Sequence, residues 1–354
     1  MNRPKTFLSL LVLFSLFVAH TTIYAAPAFT EQFNRDLSLS PFTWSSTSST
    51  ASGTSNVADA QAGDGRALKL SIAAGQAPFP GAGSNLQSKE LHHYGTYETR
   101  LKTADCAANE GVINGFFTFQ NGGDSNANGL PDNSEIDFEW LCAQPEVIFM
   151  TLWTDYNGAT DESRRVYREV NLATGQINYT RYATTFGGAY TDLSSSPTEN
   201  QPTTIQAIPG YDSSAAYYEY GFTWTETSVT WWVVNPANGQ KIILWDYRGP
   251  SARITKVPAA YMANVWHHPN WTPATCCVDA KQPPAATRTL SVDWMRYTPL
   301  GTNPPTATPI TPTPITPTPQ PSANLALNKV ATASSIEAAG LEASRAVDGN
   351  AGTR

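Results

Sequence analysis

An all-β fold of two packed antiparallel sheets is predicted, and three observations carry it. Short segments rich in β-branched and aromatic residues recur along the chain, each fenced by Gly, Pro, Asn or Asp. No stretch of convincing length has the spacing of an amphipathic helix. All ten tryptophans fall between about Pro27 and Pro299, so the material for a core is concentrated there. That span is within the range of a single all-β domain with long loops, and a two-sheet sandwich follows.

The chain opens with Arg3 and Lys5, an apolar run from Phe7 to Ala19 and small residues around Ala25–Ala28. This is the layout of a cleavable signal peptide, assigned to residues 1–26, and the run is too short for an anchor. Export is expected, with no membrane association. Removing two of the 22 basic residues against 29 acids leaves a net charge of about −9. Such a chain repels nucleic acid and anionic lipid, whereas a neutral polymer is compatible with it.

Within the domain, residues 27–300, the strand candidates are Tyr94–Lys102, Val112–Gln120, Glu135–Leu141, Val147–Thr154, Tyr218–Trp224, Val229–Val234, Lys241–Trp245 and Leu290–Tyr297. Residues 301–322 are dominated by Pro and Thr with a TPTP beat; they cannot bury a core and read as an extended spacer. Residues 323–354 are too few to fold alone. The four cysteines suit an exported chain as staples: Cys106–Cys142 is a plausible bridge, and the adjacent Cys276 and Cys277 are poorly placed to pair with each other. His92-His93 and His267-His268 stand apart and no CxxC occurs, so zinc is unsupported.

Chemistry concentrates at Glu135-Ile136-Asp137-Phe138-Glu139. A strand repeats every two residues, so the three acids share one face while Ile136 and Phe138 anchor the other. The outer glutamates are roughly 13 Å apart at Cα, and their side chains can lean together over a curved sheet. Paired carboxyls of this kind are the equipment of glycosidic-bond hydrolysis, at about 5–5.5 Å for a retaining mechanism. Three acids so close cannot ionise independently, which keeps one as a proton donor.

A second pattern overlaps the same acids. Asp124, Asn126, Asn128, Gly129 and Glu135 fit the EF-hand loop letter for letter. The flanking segments alternate like strands, which opposes calcium on Glu135. Calcium held by Asp124, Asn126, Asn128 and Asp132 remains open beside a plain polar turn. No cofactor is expected for catalysis itself.

The acid motif and five further blocks in the same order resemble glycoside hydrolase family 16: YGTYETRLK at Tyr94–Lys102, GFFTF at Gly115–Phe119, YGFTW and VTWWV at Tyr220–Trp224 and Val229–Val233, NVW at Asn264–Trp266, and VDWMRY at Val292–Tyr297. The resemblance implies a concanavalin A-like β-jelly roll and a retaining endo-β-glucanase of β-1,3- or mixed β-1,3/1,4-glucan, active as a monomer on a polysaccharide. It implies Glu135 as nucleophile, Glu139 as general acid/base and Asp137 as the residue orienting them. It places Glu98 and Arg100 at the cleft on sugar hydroxyls, with Phe119, Trp153, Asn264, Trp266 and Trp271 as further substrate contacts. Trp224 and Trp294 are assigned to the core. Asp293 is a second candidate for calcium, on the convex side, beside the reading of a solvated strand acid. Phe119 stands where the family has a tyrosine, and Asn133 where lichenases have a tryptophan. Phe149–Thr154 lacks their sugar-facing Asn and Tyr, and the turn at Trp232–Gly239 is expanded. A transglycosylase and a catalytically dead lectin are the alternatives. The tail, Asn324–Ser335 and Ser344–Asn350, resembles the opening of a discoidin-type carbohydrate-binding module cut short.

Overall fold

Alternation holds where the acids lie: Ile136, Phe138 and Trp140 are fully buried in the main core, and Glu135, Asp137 and Glu139 take the opposite face. The computed structural model describes residues 26–46, 50–75, 83–185, 188–269 and 280–301, together with 331 and 343–344. The signal peptide short of its last residue, the Pro/Thr spacer beyond residue 301, most of the tail, Trp271, Cys276 and Cys277 lie outside the described residues. The chain divides into Met1–Pro305 and Thr306–Arg354, and the first unit holds every strand described.

The strands are β1 (Phe29–Glu31), β2 (Phe42–Ser46), β3 (Ser52–Ala58), β4 (Arg66–Ile72), β5 (Gly83–His92), β6 (Gly95–Lys102), β7 (Val112–Asn121), β8 (Asp132–Leu141) and β9 (Val147–Asn157). They continue as β10 (Glu162–Asn171), β11 (Gln176–Thr185), β12 (Tyr190–Asp192), β13 (Tyr218–Trp224), β14 (Val229–Val234), β15 (Lys241–Tyr247), β16 (Ala259–His267) and β17 (Arg288–Pro299). One sheet runs β15-β14-β13-β6-β17-β4-β3 with β1 beside β17; the other runs β12-β11-β10-β9-β8-β7-β16-β5-β2. Every ladder between named strands is antiparallel. The helical elements described are two single 3-10 turns, Leu37–Leu39 and Ser251–Arg253, so the all-β expectation holds.

The inner faces meet in an aromatic core. Phe116, Phe138 and Trp140 stack in series along the acid-bearing sheet, 5.6 and 5.8 Å between centroids. Trp231 and Trp245 of the opposing sheet stack at 4.7 Å. Burying each such side chain contributes about 1.5–3 kcal/mol or more. The polar atoms of these rings are satisfied across the interface. Trp231 Nε1 donates to the Asp137 carbonyl at 3.0 Å, and Trp140 Nε1 to the Tyr211 hydroxyl at 3.1 Å. The opposing sheet thus grips the backbone of the acid-bearing strand directly.

Trp224 is fully buried, as expected, but Trp294 is not. A bulge between Val292 and Trp294 breaks the alternation of β17 and turns both Asp293 and Trp294 outward, while Met295 and Tyr297 return to the core. Arg296 lies over the exposed side of the Trp294 ring, 5.0 Å from its centroid.

Candidate active site

The acid face of β8 is built by register. Glu135 lies between Phe119 on β7 and Trp153 on β9; Asp137 lies between Phe117 and Thr151; Glu139 lies between Gly115 and Phe149. Across β7, strand β16 contributes Met262 opposite Phe117 and Asn264 opposite Gly115, and β5 adds Asn85 opposite Asn264. These side chains, with Trp266, line a cavity of about 230 Å³ whose floor holds all three carboxyls. Gly115 is required there: a Cβ would sit 2.4 Å from Asn264 Oδ1, so only glycine lets that amide lie beside Glu139.

Among the described residues, none of the three acids makes an ion pair. Burial therefore pushes each carboxyl above its ordinary range. Glu135 rises to about 7, burial opposed by the Asn133 amide, whose Nδ2 donates to Oε2 at 2.8 Å. Asp137 rises well above the carboxylate range through burial and then the charges of Glu135 and Glu139, although Trp153 hydrogen-bonds to it. Glu139 rises strongly through burial and the charge of Glu135. All three carboxyls are thus pushed towards holding their protons, and one strand offers a cluster of raised carboxyls to a single cavity.

Of the predicted contacts, Phe119, Asn264 and Trp266 line the cavity, and Trp153 faces Glu135 from the next strand. Glu98 and Arg100 do not; they are on β6 in the other sheet, on its outer face. Glu98 accepts from Arg296 Nε at 2.6 Å and pairs with Lys241 at 3.4 Å. Arg100 pairs with Asp293 and lies over the Tyr217 ring at 4.9 Å. Their alternation resembles that of β8, but β6 turns its polar edge to the convex side. Asn85, Phe117 and Met262 were missed. Phe117 shares the face of Phe119 two residues on, and Met262 that of Asn264; the same alternation could have found both. Asn85 has no local signal, since only the β5–β16 pairing brings it in.

The loop before β8 is held by its own amides. Asp124 accepts from Asn128 N and Gly129 N, both at 3.0 Å, and Asn126 Oδ1 also accepts from Asn128 N. Asn128 Oδ1 accepts from Leu130 N at 2.9 Å, and Asp132 Oδ2 from Ser125 N at 2.7 Å. Asn126 and Asn128 donate to Asp155. Oxygens engaged with backbone N–H groups make this segment an Asx-turn loop. The gathering of acids, histidines and cysteines close enough for a metal among the described residues is Cys106, Glu110 and Cys142. There the two sulfurs form the expected disulfide, with Cα atoms 5.8 Å apart, and Glu110 holds Arg288. Asp293 is buried, not solvated. Its Oδ1 has no hydrogen-bond partner, while Oδ2 binds Arg100 and Gly63 N.

A sandwich that gathers three carboxyls of raised pKa in one cavity of about 230 Å³ presents a candidate acid–base site. Residues 45–185, which include that strand, match Glycosyl hydrolases family 16. A β-glucanase of Brevibacillus brevis is 25% identical over 217 residues, 61% of this chain and 60% of that protein. A xylanase/β-glucanase of Ruminococcus flavefaciens is 24% identical over 185 residues, 52% of this chain and 16% of that one. The chain thus matches less than two thirds of either relative's length. The solved Bacillus licheniformis β-glucanase is 18% identical, covers 77% of this chain and 98% of its own, and superposes with a TM-score of 0.42. The family match and the two sequence relatives agree in pointing to glycoside hydrolases.

Proposed function

We propose that the chain is a secreted, retaining endo-β-glucanase that hydrolyses β-1,3- or mixed β-1,3/1,4-glucan. The observation that carries this reading is the gathering of Glu135, Asp137 and Glu139 on one strand face in one cavity, where burial pushes each carboxyl up. Glu135 carboxylate attacks the anomeric carbon as Glu139 passes its proton to the departing glycosidic oxygen, leaving a glycosyl ester on Glu135. Glu139, now ionised, takes a proton from water, and the water oxygen displaces Glu135. Asp137, held by Trp153, shares a proton within the trio and keeps the two glutamates from ionising together. Phe119, Trp266 and Met262 offer apolar surface to sugar rings, and Asn85 and Asn264 offer amides to their hydroxyls.

Product analysis of the purified protein on laminarin, lichenan, xyloglucan, agarose, carrageenan and chitin oligosaccharides, with anomers followed by NMR, tests the proposal. Internal cleavage of a β-glucan with β-anomers formed first is expected. An α-anomer as first product would refute retention, and cleavage confined to a non-glucan polymer would refute the substrate. Products longer than the starting oligosaccharide would mean transglycosylation, and binding without turnover would mean a lectin.

A further inference from the structure

The acid-bearing sheet continues past the active site for four more strands, and its open face there is not generic. Register runs in straight rows. From Glu135 the row passes Trp153, Arg165 and Ala183 to Tyr190 on the edge strand β12. From Asp137 it passes Thr151, Tyr167 and Arg181 to Asp192. At about 4.8 Å per strand, Tyr190 lies roughly 19 Å from the catalytic row. Between them the floor is aromatic and guanidinium: Arg165 lies 4.7 Å from the Trp153 ring, and Tyr167 meets Tyr179 at 5.8 Å.

The rows end at a second cavity, of about 410 Å³, separate from the first in every lining residue. Arg181 is clamped there between Tyr179 and Tyr190, with ring centroids 4.1 and 3.8 Å from its guanidinium carbon. The guanidinium also hydrogen-bonds to Tyr167 and, with five N–H donors, keeps others for the cavity that it lines. The walls are held before any ligand arrives. Glu169 accepts from Tyr179 and Asn178 at 2.9 and 2.7 Å, and Asn200 joins Thr180 to Ser194 at 2.6 and 2.7 Å. Tyr190 keeps half its ring exposed. Asp192, the cross-strand partner of Arg181, supplies a balancing negative charge. A cavity with one cation, one anion, mixed donors and acceptors and an exposed ring suits a neutral polyhydroxylated ligand better than a charged one.

We propose that the Arg181–Tyr190 cavity is a second carbohydrate-binding site, which holds a distal stretch of the neutral glucan lying across the acids. Tyr190 stacks on a sugar ring, and Arg181 donates to a neighbouring pair of hydroxyls. The site selects long chains, because a short oligosaccharide bound at Glu135 cannot reach it. This rests on the glucanase reading.

The test is titration calorimetry of full-length Glu135→Gln protein with β-glucan tri- and octasaccharides, alone and combined with Arg181→Ala or Tyr190→Ala. The octasaccharide is expected to bind more tightly than the trisaccharide, and either second substitution to erase about tenfold of that advantage. The half-exposed Tyr190 can be truncated without opening the core. Unchanged octasaccharide affinity in folded Tyr190→Ala and Arg181→Ala proteins would overturn the inference. Failure of Glu135→Gln protein to bind either glucan would instead overturn the glucanase reading and with it this ligand. Tighter binding of a sulfated or uronic oligosaccharide, lost in Arg181→Ala, would overturn the neutral assignment.

Discussion

The two outer faces of the sandwich carry similar acids with opposite fates. On the convex side, Glu98 meets Arg296 and Lys241, Asp293 meets Arg100, and Asp59 meets Lys69. On the concave side, Glu135, Asp137 and Glu139 meet aromatic rings, amides and one another. A guanidinium or ammonium beside a carboxylate fixes it as structure; burial without one leaves the proton contested. What marks the acid cluster is therefore that the two strands flanking it, β7 and β9, carry no Lys or Arg, a property of sheet neighbours and not of the acid motif.

The largest effect that would sharpen this contrast is chemical. Glu135→Gln should reduce kcat below detection, and Glu139→Ala should cost roughly 10²–10⁴-fold. A substrate with a good leaving group, or azide with a β-azide product, should restore turnover to Glu139→Ala. Failure of both rescues would remove Glu139 from the acid/base role.

On the convex side the cost should fall on stability. Glu98→Gln leaves Arg296 and Lys241 without their counter-ion and should destabilise by about 1–3 kcal/mol, discounted for the partial exposure of both cations. Urea denaturation reads this, with KM on polymer within twofold. A tenfold rise in KM would return Glu98 to the cleft.

Next is a sign reversal between the faces. Glu139 has its pKa raised in the folded state, so ionisation opposes folding. That penalty is absent below the unfolded value of about 4 and grows as pH rises toward the folded one. Glu139→Gln should therefore raise Tm by a few degrees at pH 7–8 and by nothing near pH 4. A drop at neutral pH would break the comparison. The smallest expected effect concerns Asn133. Its amide favours ionised Glu135, so Asn133→Ala should move the acid limb of kcat/KM upward in pH by a few tenths of a unit.

The strand spine was legible wherever apolar alternation was strong. Tyr218–Trp224 and Val229–Val234 appear with the expected bounds, and β8 begins only three residues early. Ser52–Ala58 and Glu162–Asn171 carried no such signal, because small polar residues fill the first and charged ones crowd the second. The acid trio was readable because chemistry and periodicity coincide within five residues. Glu98, Arg100 and Trp294 were not, since sheet membership and a bulge are decided by partners far along the chain. The Arg181 cavity was equally hidden; only the register of four successive ladders brings it into line with the acids.

The hydrogen bond from Trp231 to the Asp137 carbonyl has a practical consequence. Because the strand that bears the acids is tied to the far layer, the geometry of attack depends on the spacing between the layers. Heating should therefore leave no inactive but folded intermediate: the loss of activity and the change in tryptophan emission should trace one curve. A simple fluorescence melt would then report on the integrity of the acid cluster.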